Sequence, residues 1–338
     1  MLKMEAPKTA RGRLPDMAWL LVAAFAGLAG AGLLPRHDDW SPRANPAPDF
    51  ETALARWRRL LAAERGQVEP ANGSRLLAGS GPSKRVYLLV HGLTNSPRQW
   101  AAFGRMLHER GHTVLIPRLP YHALRGQEVA VLRALAPADL RAYADTAINM
   151  AAGLGDEVIV IGISGGATIA AWMAQNRPEV QRTLLLVPFF GLYGLPRSLN
   201  AWAANALSRL PNVNLSHRDE PDRSWAYRGE SSRGAAAFLL LGQALLNQAR
   251  LGRRPNGEVR VITTAVDRVA DNEATARLVA FWRRGGTLLH TYQFPPKRQI
   301  PHNAIDPSAD VVKRQEVFVQ MLDVLGEPPL GIAVDRRQ

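Results

Sequence analysis

Two short, wholly apolar runs most constrain what this chain can become. Residues 86–90 read VYLLV and residues 158–163 read VIVIGI, and each is followed by a glycine-containing turn and then a helical pattern. A strand with one face in water alternates polar and apolar residues. A continuous apolar run is instead buried on both faces, as in a parallel sheet covered by helices on either side. Further strands are expected at 113–116, 183–187, 259–265 and 287–293. Helices are expected at 97–110, 137–154, 165–176, 272–284 and 309–325. In the second of these, Leu140, Tyr143, Ala147 and Met150 fall along one face. Repeated βα units of this kind predict an α/β fold with a doubly wound, mostly parallel sheet.

The rhythm breaks between residues 189 and 255, where two apolar helical segments, 199–210 and 235–251, replace the expected strand. This interval reads as a helical insertion folded over one edge of the sheet. The catalytic domain is then expected over residues 81–326, with 327–338 as a C-terminal tail. Upstream, residues 1–16 form a basic tail carrying Lys3, Lys8, Arg11 and Arg13. Residues 17–34 read MAWLLVAAFAGLAGAGLL, without a charge. A signal-peptide core is roughly 7–15 residues and a membrane span about 20, so the segment falls between the two. The preceding cations keep the N-terminus in the cytoplasm. An uncleaved anchor with the catalytic domain on the external or periplasmic side is the expectation. Cleavage near Ala29, Gly30 and Ala31, releasing a secreted chain, is the alternative. Residues 35–80 read as a linker followed by an amphipathic helix at 49–64.

Of the 338 residues 46% are hydrophobic and 21% charged, enough for a large core. The absence of cysteine excludes a disulfide framework, a thiolate metal site and a cysteine nucleophile, and leaves the compartment open. The net charge of +13 is spread over scattered arginines rather than gathered in a block, so no nucleic-acid partner is expected.

The chemistry gathers at the ends of the predicted strands. Gly162-Ile163-Ser164-Gly165-Gly166 joins an apolar strand to a helix, which is the setting of a G-x-S-x-G nucleophile elbow. Such a turn presents Ser164 at the carboxyl edge of the sheet and at a helix N-terminus. His91-Gly92-Leu93-Thr94-Asn95-Ser96-Pro97 follows the first apolar strand. Acyl transfer needs N–H donors aimed at an oxyanion, and Leu93 N–H with Gly165 N–H form the expected pair. His91 is too close to that loop to be the base and reads as structural. Asp267 directly follows a strand and is favoured as the carboxylate that orients the base. Asp271, the runner-up, falls where a helix N-cap belongs. His302 lies in a loop before the last helix and is the expected general base. His290 sits inside a strand, and His112, His122 and His217 precede the acid.

The stretch from residue 84 to 325 resembles the α/β-hydrolase superfamily. HGLTNSP, GISGGA, DRVA after a strand and PHNAID near the end are similar to segments of small bacterial carboxylesterases and monoacylglycerol lipases. The resemblance implies a Ser-His-Asp acyl-enzyme mechanism through Ser164, His302 and Asp267, no cofactor or metal, and a lid inserted after the sixth strand. Residues 1–80 lie outside it, and Gly165 stands where relatives often carry a larger residue. Phe189, Phe190, Leu192, Tyr193 and Trp202 near the start of the lid suit an acyl chain. A carboxylesterase or lipase-like enzyme acting on small-molecule esters is therefore expected. Peptidase, thioesterase or lactonase chemistry on the same fold is one alternative, and a non-catalytic binding protein that kept the fold is another.

Overall fold

The computed structural model describes residues 38–215 and 224–328, with Gly27, Gly30 and Leu33 as isolated positions. In chain order these hold α1 (Phe50–Glu64), β1 (Arg75–Leu77), β2 (Ser83–Val90), α2 (Ala101–His108), β3 (Thr113–Ile116) and α3 (Pro137–Leu154). There follow β4 (Gly155–Ile163), α4 (Gly165–Asn176), β5 (Val180–Leu186), α5 (Arg197–Arg209), β6 (Asn214–Leu215) and β7 (Glu230–Ser231). The last elements are α6 (Ser232–Arg250), β8 (Glu258–Thr264), α7 (Asn272–Arg284), β9 (Leu289–Phe294) and α8 (Val311–Leu325).

Seven strands form one sheet in the order β1-β3-β2-β4-β5-β8-β9. All its pairings are parallel except that of β1 with β3. The apolar runs explain its centre. β2 and β4 lie side by side, and their last five and six residues respectively are buried. Alternation then sorts their side chains between two cores. Val86, Leu88, Val90, Val158 and Val160 face the layer of α1, α3, α4 and α6. Tyr87, Leu89, Ile159, Ile161 and Ile163 face Phe103 of α2 and Phe318 and Met321 of α8.

The sheet starts earlier than the sequence suggests. β1 pairs antiparallel to β3 at the edge, inside the interval read as linker. The chain before it is also built into the domain. Trp40 and Ala47 are buried in the main core, and Trp172 Nε1 donates to the Trp40 carbonyl at 3.2 Å. Ala47 N–H donates to the Asn149 carbonyl at 2.7 Å, docking this arm on α3. α1 then buries Ala53 and Trp57 against α3, and Asp49 caps it by accepting from Thr52 N–H at 2.7 Å. At the other end Glu327, expected as the first residue of the C-terminal tail, is 6% exposed and packs against the domain.

The insertion divides into two unlike halves. α6 buries residues 234–242 almost continuously and packs on α3, α4 and α7 as part of the helical layer. Among the described residues of the insertion, α5 and the antiparallel pair β6 and β7 stand outside that layer, with Tyr193, Leu199, Val213 and Leu215 exposed. Among the described residues no helix is long and apolar enough to cross a membrane. The expected membrane segment at 17–34 lies, apart from those three positions, outside the described residues.

Candidate active site

Ser164 occupies the junction of β4 and α4, at the carboxyl edge of the middle of the sheet. Its φ of 54° and ψ of −121° lie outside both the helical and strand regions. The surroundings hold it there. Its N–H donates to the Leu186 carbonyl at 3.0 Å, and its own carbonyl accepts from Ala167, Thr168 and Phe189 N–H at 3.0, 3.2 and 3.2 Å. The flanking glycines are required by close approach. A Cβ on Gly166 would run into the Val90 and His91 carbonyl oxygens, and one on Gly162 into the Gly166 carbonyl. Gly165 has a different neighbour. A Cβ there would meet the Phe238 ring of α6 at 2.9 Å, so that ring fills the space a larger residue would take.

Ser164, His302 and Asp267 are brought together from three separate loops. Ser164 Oγ lies 2.8 Å from His302 Nε2, and His302 Nδ1 lies 2.7 Å from Asp267 Oδ2. A carboxylate only accepts, so Nδ1 carries the proton and Nε2 is left to accept from the serine hydroxyl. Asp267 has no exposed side-chain surface and His302 retains 13%. Asp267 Oδ1 also accepts from Val269 and Ala270 N–H at 2.8 and 3.0 Å. Burial raises the Asp267 pKa, but the His302 hydrogen bond and charge together with the two backbone N–H groups outweigh it and hold the carboxyl below its ordinary value. The histidine loop is fixed to β8, because Thr264 Oγ1 donates to the Ile300 carbonyl at 2.8 Å.

Asp271 lies elsewhere in the local chemistry. It caps α7, accepting from Glu273 N–H at 2.8 Å, and pairs with Arg277 at 3.5 Å. His91 is fully buried, with both ring nitrogens engaged. Leu119 N–H donates to Nε2 at 3.0 Å and Nδ1 donates to the Gly92 carbonyl at 2.9 Å. His122 is buried beside it, ring centroids 5.3 Å apart. His112 contacts Glu327 at the far end of the sheet, and His290 pairs with Glu258. His217 lies outside the described residues.

Among the described residues, neither Leu93 N–H nor Gly165 N–H donates to a protein acceptor. Both border the serine, one from the loop after β2 and one from the first turn of α4. The loop is shaped by Thr94 at φ 67°, whose carbonyl accepts from Tyr227 N–H at 2.8 Å. A cavity of about 450 Å³ opens over Ser164. Phe189, Leu192, Val266 and Val269, from the ends of β5 and β8, give it apolar lining, and Asn95, Gln99, Asn303 and Asp306 give it polar lining. Tyr227 and this polar group were not singled out from sequence. Asn95 and Asp306 stand inside HGLTNSP and PHNAID, but nothing in either string says which polar side chain turns inward. Among the described residues there is no grouping of three or more His, Asp or Glu side chains that could hold a metal ion.

The fold recurs in solved structures of low sequence identity. One reported with LipS and LipT, two metagenome-derived lipolytic enzymes, has a TM-score of 0.57 at 16% identity and covers 77% of this chain and 99% of its own. The monoacylglycerol lipase of Paleococcus ferrophilus gives 0.52 at 16% identity, covering 75% and 97%. A soluble variant of monoglyceride lipase from Saccharomyces cerevisiae, in complex with a substrate analogue, gives 0.52 at 13% identity, covering 75% and 90%. Comparison with curated proteins returns no significant sequence match. A family model described as the alpha/beta hydrolase family matches residues 87–296, more than half of the chain. With that match and the strand order around the serine turn, the chain belongs to the alpha/beta hydrolase family.

Proposed function

We propose that this protein is a serine hydrolase of carboxylic esters that works through an acyl-enzyme on Ser164. The observation that carries the reading is the continuous hydrogen-bonded line from Ser164 Oγ through the His302 ring to the buried Asp267 carboxylate. His302 Nε2 takes the hydroxyl proton as Oγ attacks the ester carbonyl, and Asp267 steadies the imidazolium that results. The carbonyl oxygen becomes an oxyanion facing the unpaired N–H groups of Leu93 and Gly165, which need no reorganisation to receive it. His302 then protonates the departing alcohol. Water, deprotonated by the same base, attacks the acyl-enzyme and regenerates Ser164.

The cavity supports an ester with one apolar and one polar portion. Phe189, Leu192, Val266 and Val269 suit an acyl chain, and Asn303 suits a hydrogen-bonding alcohol. The ester class rests on this site, since low-identity neighbours share only the fold. The insertion at 189–255 would act as the lid, since Phe189, Leu192, Tyr227 and Ala235 border that cavity. Residues 17–34 would anchor the protein, with the catalytic domain on the external side of the membrane.

Labelling with a fluorophosphonate, followed by turnover of p-nitrophenyl esters of increasing chain length, tests the reading. Parent protein should label once and Ser164→Ala not at all. Equal labelling of the two would overturn it. Sedimentation of the full chain with membranes in high salt tests the anchor, and a soluble chain starting near Gly32 would point to cleavage instead.

A further inference from the structure

The proposed mechanism leaves idle one buried carboxylate at the edge of its own cavity. Asp306 is 2% exposed and lies four positions after His302 on the same loop. Its Oδ1 accepts from Gln99 Nε2 at 2.6 Å and from Asn95 Nδ2 at 3.1 Å. Both amides sit in or just after the loop that offers Leu93. Gln99, 4% exposed, turns its Oε1 to accept from Gly92 N–H at 2.9 Å. Asn95 turns its Oδ1 to accept from Ser96 N–H at 3.1 Å. The Asp306 backbone is itself pinned, its N–H donating to the Asn303 carbonyl at 3.0 Å and its carbonyl accepting from Arg314 at 3.2 Å.

An amide side chain offers a donor end and an acceptor end, and either can face a given neighbour. A carboxylate is acceptor-only, so it draws the NH₂ end of each amide towards itself and sends each amide oxygen to a backbone N–H. Reversing Gln99 would set its NH₂ against Gly92 N–H, two donors face to face in a buried site, and the loop would have to move. We propose that Asp306 is a positioning residue. By fixing the polarity of the Gln99 and Asn95 amides, it engages Gly92 N–H and holds the loop so that the next N–H, of Leu93, faces the oxyanion. It also ties the loop of the general base to the loop of the oxyanion donor. This rests on the serine hydrolase reading above.

The test uses purified full-length protein, p-nitrophenyl butyrate as substrate and fluorophosphonate end-point labelling to count competent sites. Per labelled site, Asp306→Ala should lower kcat about 10²-fold, the scale of one lost oxyanion donor, with KM little changed because that contact forms only in the transition state. Asp306→Asn keeps an Oδ1 that can accept both amides and should recover most of the loss. Gln99→Leu leaves Gly92 N–H unpaired and should match Asp306→Ala. The double variant should be no worse than the poorer single by more than about threefold, since both act through one linkage. The acid limb of the pH–rate profile should stay in place throughout. Parent turnover by Gln99→Leu, additive losses in the double variant, or an acid limb that moves while the plateau holds would each overturn the proposal. If Asp306→Ala does not fold, Asp306→Asn and Gln99→Leu decide. Labelling of Ser164→Ala would instead defeat the underlying reading, so the two failures are distinguishable.

Discussion

The two ends of the same sheet are built on opposite terms. At the carboxyl end Ser164, Thr94 and Val187 all hold positive φ, and two N–H groups at the serine have no protein acceptor among the described residues. At the amino end charge is closely matched. Arg85 lies between Glu157 at 3.0 Å and Glu327 at 2.7 Å, and Arg182 reaches Glu157 at 2.6 Å. Glu327 also accepts from Tyr87 and lies 3.0 Å from His112 Nε2. Arg182 foremost keeps the Glu157 carboxyl below its ordinary pKa. Burial works to raise Glu327, yet Tyr87, His112 and Arg85 together bring it down. One end keeps strain and unmet donors where a reaction can use them, and the other ties the strands together where nothing reacts. The fold separates the two tasks by the length of a strand.

Substitutions at the two ends should therefore fail in different measurements. The largest effect is expected for Ser164→Ala, which should lower ester turnover by about 10⁴ or more while melting close to the parent. Steady-state kinetics beside calorimetry checks both halves. Asp267→Asn should follow, losing about 10⁴ in kcat because the imidazole tautomer is no longer fixed. Asp271→Asn should stay near parent activity, since Asn caps a helix about as well as Asp. Near-normal activity in Asp267→Asn would remove the acid from this site. At the amino end, Glu327→Ala should cost about 3 kcal/mol of stability by stranding buried partners, with kcat/KM unchanged. A loss of activity without a loss of melting temperature would break the contrast between the ends.

The smallest effect concerns pH. Burial drives the pKa of His122 down to about 4, and burial with the neighbouring His122 drives His91 well below its ordinary value. The unfolded chain takes up these protons near pH 6.5, earlier than the folded one. Stability should thus be complete above about pH 6.5 and fall as pH drops from there towards 4. His122→Asn, which keeps a donor for the Pro120 carbonyl, should flatten part of that slope in melting curves taken across the range.

Much of this arrangement was legible in the sequence because the chemistry sits at strand ends. The apolar runs located β2 and β4, and Ser164, Asp267 and His302 stood out by the turn or loop each occupies together with a chain order that resembles the α/β-hydrolase triad. What stayed hidden depends on contacts between distant segments. β1 is three half-buried residues without alternation, and it is a strand only because β3 lies beside it. Trp40 and Ala47 look like linker until α3 is there to receive them. Asp306 and Gln99 are far apart in sequence and meet only through the fold. The apolar period of α6 fixed a helix but not its depth, because an all-round apolar helix fits equally a lid or a core layer.

That depth decides how the insertion behaves as a module. Phe238 of α6 rests where residue 165 would carry a side chain, so α6 and the nucleophile turn form a matched pair. A chimaera that exchanged the whole interval up to residue 255 would import a foreign ring against Gly165 and unseat the turn. A graft confined to α5, between Leu195 and Leu210, would leave that match untouched, and with it the Tyr227 contact to the Thr94 carbonyl. The exchangeable unit in this protein is therefore α5 alone.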